Sequence, residues 1–324
     1  MTTAELRSVA NGFWACAAHA RLVDTNAGRA YPAGKLLGWR ALHEARTRAE
    51  MDGQRPSVRW VESLEVRASP APAGRAPIFE AGARVNLAKV TLLIGDNSDG
   101  KTALCEWLAS VGDEAHLWGW SRSTLAFTIR IHDPDDHTFD VDLSEGTLTM
   151  RFDGKAVPFC PLPVSVRPVL EPPTRAAGMS DADWMSLWLG IPTAVIARLL
   201  TDAPRRFPRL VGSVRAGDDG EIVTVRDGFP ASLRAIGTSG QWLIAIALAA
   251  LHADQRAAFV PTILLIDGIW SLDSNNKAAV LRDLETIQCQ SIATLVAPAR
   301  DLARGRWAIT RIQHGPQGAT FADE

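Results

Sequence analysis

The densest chemistry in the chain lies in Gly95-Asp96-Asn97-Ser98-Asp99-Gly100-Lys101-Thr102. Glycines let the backbone curl tightly, successive amide N–H groups at a helix N-terminus hold an anion, and the Lys101 ammonium reaches the outer phosphates of a nucleotide. Thr102 adds a hydroxyl suited to Mg²⁺. The run fits Gly-x-x-x-x-Gly-Lys-Ser/Thr, and Gly95, Asn97, Gly100, Lys101, Thr102 and Ala103 are the residues expected to wrap the phosphates. A chance glycine turn before a helix is the competing reading. The context disfavours it, because Lys89 to Ile94 reads as a buried strand and a helix opens at Ala103-Leu104. Asp99 is the awkward member: its carboxylate repels phosphate unless it turns outward.

Two further segments fit the same chemistry. Asp267 closes the apolar run Thr262 to Ile266, where a P-loop site keeps the carboxylate that orients the Mg²⁺ shell. Alone it would read as an ordinary strand end; with Lys101 upstream, a metal role is the better reading. Gly237-Thr238-Ser239-Gly240-Gln241 opens a strongly apolar helix, so it is either a second anion-binding helix end or a plain N-cap.

The elements around these segments follow from periodicity. Residues 1 to 55 read as a helical N-terminal extension, with Leu6, Val9, Phe13 and Ala17 on one face and Leu36, Trp39 and Leu42 opening a second helix. Val58 to Val66 is β-branched and strand-like. Alternation in Phe127 to Ile131 and Leu148 to Phe152, with turn signals at Asp133-Pro134 and Asp153-Gly154, predicts an antiparallel sheet between Leu125 and Val166. Ser180 followed by Asp183 marks a helix start, and two helices broken near Pro192 should fill Asp181 to Asp202. A hairpin is expected from Glu221 to Phe229, and Gln290 to Val296 should be a strand beside Thr262 to Ile266. The fold class is α/β, with residues 56–324 as a phosphate-loop domain whose helical part spans about 175–250.

Composition narrows the function classes. The chain has 324 residues, 34 Lys plus Arg against 36 Asp plus Glu, and so a formal charge of -2, which excludes a strongly basic coat for nucleic acid. The longest apolar stretch, Trp242 to Leu251, is well short of the roughly 20 residues that span a bilayer. No membrane helix or secretory signal is expected, and a cytoplasmic location follows. Cys16, Cys105, Cys160 and Cys289 lack Cys-x-x-Cys spacing, so buried reduced thiols are expected rather than a zinc ribbon.

In this order the three motifs resemble the ABC-type ATPase heads, in particular the soluble group of AAA-family ATP-binding proteins that includes SMC, RecF and the overcoming-lysogenisation nucleases. The resemblance covers roughly Val58 to the C-terminus and leaves the N-terminal helices unexplained. It implies a Walker A loop at Gly95 to Thr102, a signature at Thr238, Ser239, Gly240 and Gln241, a Walker B strand ending at Asp267, and a D-loop at Ser271-Leu272-Asp273. ATP and Mg²⁺ would be the cofactors, with Thr102 and Asp267 on the metal. The signature of one head would complete the nucleotide site of another, giving a homodimer or heterodimer of heads that passes its state to an effector protein. Nucleic acid stays open as a partner, and DNA repair or phage defence is the implied setting.

Departures from that pattern matter as much. The Glu that follows the Walker B Asp and positions water is Gly268 here, and glycine cannot polarise water. No Gln lies between Gln54 and Gln241 to serve as the Q-loop residue, and no switch histidine follows the strand ending at Val296, the only later one being His314. The expectation is therefore a nucleotide-gated dimerisation switch with weak or absent hydrolysis. The alternative is an active ATPase whose base comes from Asp273 or a partner subunit; a transporter's nucleotide-binding subunit ranks lower.

Other signals favour plainer readings. Arg205-Arg206-Phe207-Pro208-Arg209 could meet phosphate but reads better as a solvated loop. Trp118, Trp120, Trp184 and Trp188 suit core packing better than ligand stacking. His132, Asp133, Asp135, Asp136 and His137 could gather a metal, yet a polar hairpin turn explains them.

Overall fold

The structure, a computed structural model, describes residues 20, 21, 23, 61–71, 76–132, 135–161, 164–217, 219–226, 229–257, 260–269, 272–296 and 307–323. The expected N-terminal helices lie almost wholly outside the described residues, as do Cys16, Asp133, Pro134 and Ser271.

Three strands that read as apolar runs form the centre. β3 (Val90–Ile94), β12 (Thr262–Ile266) and β13 (Gln290–Leu295) are buried at every position, as strands covered on both faces must be. They belong to a six-stranded sheet of order β15-β14-β3-β13-β12-β8, adding β8 (Ser165–Val169), β14 (Ala308–Gly315) and β15 (Gly318–Asp323). All neighbours pair in parallel except β14 with β15.

A second six-stranded sheet, wholly antiparallel, has the order β2-β1-β4-β5-β6-β7. Its members are β1 (Val61–Ala68), β2 (Arg84–Asn86), β4 (Leu125–His132), β5 (Asp136–Ser144), β6 (Thr147–Phe152) and β7 (Lys155–Val157). Between the sheets lies helix α1 (Lys101–Ala109), whose Leu104, Trp107 and Leu108 share one buried cluster with Leu64, Phe127, Ile263 and Ile292. Trp107 stacks on Phe127 at 5.5 Å. Buried Gln290 clamps the layers together, taking Val61 N–H at 3.1 Å and donating to Val61 O at 2.8 Å.

The other face of the parallel sheet is covered by helices. α2 (Asp181–Leu189) starts where Ser180 accepts from Asp183 N, α3 (Thr193–Arg206) follows Pro192, and α4 (Pro208–Val211) continues it. α5 (Thr238–Ala257) buries every residue from Trp242 to Leu251 and packs on β12 and β8. α6 (Ser274–Thr286) links β12 to β13. Among the described residues no single helix is long and apolar enough to cross a membrane.

One sequence expectation needs correction. The antiparallel region does not reach Val166: Ser165 to Val169 instead pairs in parallel with β12, Ser165 opposite Thr262. Pro168 explains how this strand sits at an edge, because a residue with no N–H cannot serve a central ladder. The hairpin expected near Glu221 does form, β10 (Ile222–Arg226) pairing antiparallel with β11 (Phe229–Ser232), and β9 (Ser213–Ala216) adds a third strand to it.

Candidate functional site

The C-terminal ends of four parallel strands, β3, β13, β12 and β8, supply one rim, the usual ligand edge of an open α/β sheet. β3 runs into Gly95, whose N–H is held by Leu295 O at 3.2 Å. The loop then turns left-handed at Ser98 (φ 72°) and Gly100 (φ 86°) before α1 begins. Gly100 has no substitute here. A Cβ would come within 2.6 Å of Ile78 Cγ2 and 2.7 Å of Phe79 Cζ.

Lys101 is only 8% exposed and lies across the loop, donating to Gly95 O at 2.9 Å and Asp96 O at 2.6 Å. Burial lowers its pKa from the ordinary lysine value, while the carboxylates of Asp99, Asp267 and Asp96 act in the opposite direction. Beside it, Thr102 Oγ1 donates to Asp267 Oδ2 at 2.5 Å. Thr294 of β13 completes the arrangement: its hydroxyl donates to Asp267 Oδ1 at 2.6 Å and accepts the Gly268 N–H at 3.2 Å. A cation, a hydroxyl and an oriented carboxylate therefore converge at one helix N-terminus. That donor set, hard oxygens beside an anion-binding turn, suits Mg²⁺ and a polyphosphate.

The remaining expected residues fall into place less directly. Asn97 stands exposed at the loop tip, and the Ala103 methyl is buried, so Ala103 can offer only its amide. Asp99 does not turn outward. It is buried, takes the Asp96 N–H on Oδ2, and faces His314 Nε2 at 2.9 Å through Oδ1. Sequence spacing points to neither Thr294 nor His314, each being one polar group on a strand or its end.

The Gly237 to Gln241 segment does open α5, with Thr238 exposed. Gln241 turns back, donating to Leu233 O at 3.1 Å and Ile236 O at 3.3 Å, so its amide supports the preceding loop. Asp273 caps α6, accepting from Asn276 N at 2.9 Å. That backbone bond heads the causes that lower its pKa, which makes it a weak proton acceptor and a poor substitute base.

The plainer readings hold at most positions. The Arg205 to Arg209 stretch is helical rather than a loop, Arg205 and Arg206 ending α3 and Arg209 lying in α4 about buried Phe207. Its cations are nonetheless tied, Arg205 to Asp202 at 2.5 Å and Arg206 3.7 Å from Asp254. His132 and His137 each meet a hairpin carboxylate, Asp136 at 2.7 Å and Asp153 at 2.8 Å. Trp184 and Trp188 are buried in the core, but Trp118 is 71% exposed, contrary to the core expectation. Its short 3₁₀ turn, Glu114–Trp120, buries Leu117 instead. Cys105, Cys160 and Cys289 are buried free thiols.

No family profile and no curated protein matches the chain. Solved structures do share its fold. One is an Smc head bound to the C-winged helix domain of ScpA, 14% identical with a TM-score of 0.55, covering 82% of this chain and 97% of that one. Another is the SMC head domain from Thermotoga maritima, 12% identical with a TM-score of 0.50, covering 82% and 99%. A third is the Smc head with an extended coiled coil bound to the C-terminal domain of ScpA from Pyrococcus furiosus, 12% identical with a TM-score of 0.55, covering 82% and 96%. The chain has the α/β fold of these SMC-type heads.

Proposed function

We propose that the chain is an ATP-binding head of SMC-like ABC type that works as a nucleotide-gated association switch and hydrolyses ATP weakly or not at all by itself. The observation that carries this reading is the Thr102 to Asp267 bond of 2.5 Å beside the loop-spanning Lys101. Thr102 Oγ1 and Asp267 would hold Mg²⁺, which when bound would neutralise charge on the outer phosphates. Lys101 would exchange its bonds to Gly95 O and Asp96 O for phosphate oxygens, and the loop amides would take the rest.

Among the described residues, the positions that the resemblance gives to a base do not supply one. Gly268 has no side chain, and the Asp273 carboxylate is committed to capping α6. Binding without efficient turnover suits a gate, in which nucleotide favours one association state over another. Likeness to heads whose structures carry pieces of ScpA supports an effector protein as the reader of that state. DNA repair or phage defence belongs to the same proposal.

Calorimetry with Mg-ATP tests the reading. Binding should weaken by about 100-fold in Lys101→Ala, since a charge-assisted contact to phosphate is lost. Turnover of the isolated chain should stay well below about 1 per second. Equal affinity in the two proteins would remove the basis of the proposal.

A further inference from the structure

A second group of cations stands apart from the nucleotide rim. Arg167 of edge strand β8 is in register with Leu264 of β12, and Leu264 faces the core cluster built on α5, so Arg167 lies on the α5 face of the sheet. His252 and Arg256 are one helical turn apart on α5, and Arg198 comes from α3, which packs on α5. His252 sits near enough to feel all three guanidinium groups: after burial, the causes that lower its pKa to about 4 are Arg167, Arg256 and Arg198.

No carboxylate balances Arg167, Arg198 or Arg256 among the described residues, whereas Arg175, Arg205 and Arg206 hold aspartates at 2.6, 2.5 and 3.7 Å. Arg198 and Arg256 are exposed to water, and Arg167 and His252 are partly buried. Arg167 Nε and His252 Nδ1 are shielded from water and lack a hydrogen-bond partner among the described residues. A buried unsatisfied donor costs about 1–3 kcal/mol, and the like charges repel besides. A fold tolerates such a cluster most readily where a ligand completes it.

We propose that Arg167, Arg198, His252 and Arg256 form a binding site for a phosphate group, distinct from the phosphate loop. The charge count selects phosphate over a carboxylate. Three guanidinium groups face a single negative charge and two oxygens in a carboxylate, but up to two charges and three or four acceptor oxygens in a phosphate. His252, neutral at pH 7, adds hydrogen-bonding capacity without a fourth charge. Position also separates the sites: His252 and Arg256 lie near the C-terminal end of α5, which leads into the start of β12, whereas Lys101 and Asp267 lie at the strands' C-terminal ends. A nucleic-acid backbone and a free phosphorylated molecule present the same chemistry.

The test uses the full chain carrying Lys101→Ala, so that the phosphate loop does not report. Inorganic phosphate should raise its unfolding temperature relative to sodium chloride at matched ionic strength. Adding Arg198→Gln and Arg256→Gln, both at exposed positions, should remove at least half of that rise. Arg256→Gln alone serves if the combined variant does not fold, judged by its melting in chloride. A labelled single-stranded oligonucleotide, followed by anisotropy, separates the sources: binding weakened about fivefold or more by the two substitutions, with a shallower salt dependence, identifies a nucleic-acid backbone. Unchanged oligonucleotide binding together with a lost phosphate effect identifies a small phosphorylated ligand. A phosphate effect that is absent, or equal with and without the arginines, overturns the proposal.

Discussion

His314 Nε2 lies 2.9 Å from Asp99 Oδ1, and the contact holds the phosphate loop's own carboxylate against β14. Because β14 flanks β3 on the side opposite β13 and β12, Asp99 is drawn away from Thr102 and Asp267. The carboxylate that threatened phosphate binding is thereby turned into a brace for the loop, with its second oxygen on the Asp96 amide. His314→Ala removes one of the two partners of Asp99 at a half-exposed position and should cost about 0.5–1 kcal/mol in urea unfolding. Asp99→Ser removes a negative charge near the phosphates and should tighten Mg-ATP binding by about tenfold in calorimetry. If neither affinity nor stability moves, the pair is incidental.

The same loop contains a strained residue and an irreplaceable one. Ser98 adopts φ 72°, a left-handed conformation that costs a non-glycine residue about 1 kcal/mol. Ser98→Gly should therefore be neutral or stabilising by a few tenths of a kcal/mol, roughly what remains after the added freedom of the unfolded chain. Gly100→Ala meets both a positive φ and the Ile78 and Phe79 side chains. It should lose about 2–3 kcal/mol and most nucleotide binding. Thermal melts should show Gly100→Ala well below wild type and Ser98→Gly at or slightly above it; a loss in both would show that the loop rearranges.

Restoring a glutamate after Asp267 is the obvious repair of hydrolysis, and the backbone argues against its success. Gly268 has φ 128°, a region almost reserved for glycine, and its N–H is held by Thr294 Oγ1 at 3.2 Å. Gly268→Glu should lower stability by about 1–3 kcal/mol and leave ATP turnover no faster than wild type. A variant that melts like wild type and hydrolyses ATP at least tenfold faster would show that this turn can adopt the catalytic geometry after all.

How far these relationships can be read from sequence depends on the range of the forces that make them. β3, β12 and β13 are legible because burial on both faces produces unbroken apolar runs, and the turn from Gly95 into α1 because glycine acts locally. β8 is not, since Arg167 and Pro168 interrupt its pattern and only its pairing with β12 makes it part of the parallel sheet. The His314 contact with Asp99 and the Thr294 bridge to Asp267 join segments far apart in the chain, so neither has a spacing signal. The unpaired cations around His252 are invisible for the same reason: Arg167, Arg198 and Arg256 are ordinary residues until α3, α5 and β8 bring them together.

His252 also sets a pH dependence whose sign is fixed. Burial, then Arg167, Arg256 and Arg198, lower its folded pKa to about 4, whereas the unfolded imidazole titrates near 6.5. Between those values the unfolded chain binds more protons, so stability rises with pH across the window and is lost as pH falls from 6.5 toward 4. His252→Gln should flatten that part of the curve while leaving the region above pH 7 nearly unchanged. The readout is urea unfolding at half-unit pH steps; an identical slope in the variant would assign the acid sensitivity to other groups.

The proposed association can be tested at the start of α5. Thr238 is exposed, while Gly240 lies against Ile236 and Gln241 is bonded to the preceding loop, so Thr238 and Ser239 begin a helix whose interior side is already fixed. In a gated pair of heads this helix start would meet the γ-phosphate held by the other head, and its positive dipole end suits that anion. ATP with Mg²⁺ should then convert monomer to dimer in light scattering, and ADP should not, because mass action favours only the state that binds the ligand more tightly. Ser239→Arg places a bulky side chain at the contact, so it should keep ATP binding within about threefold of wild type yet abolish the ATP-driven rise in mass. Lys101→Ala should lose both. A mass that remains monomeric with ATP, for the chain alone and together with the products of neighbouring genes, rejects the gate and leaves a nucleotide-binding module that acts singly.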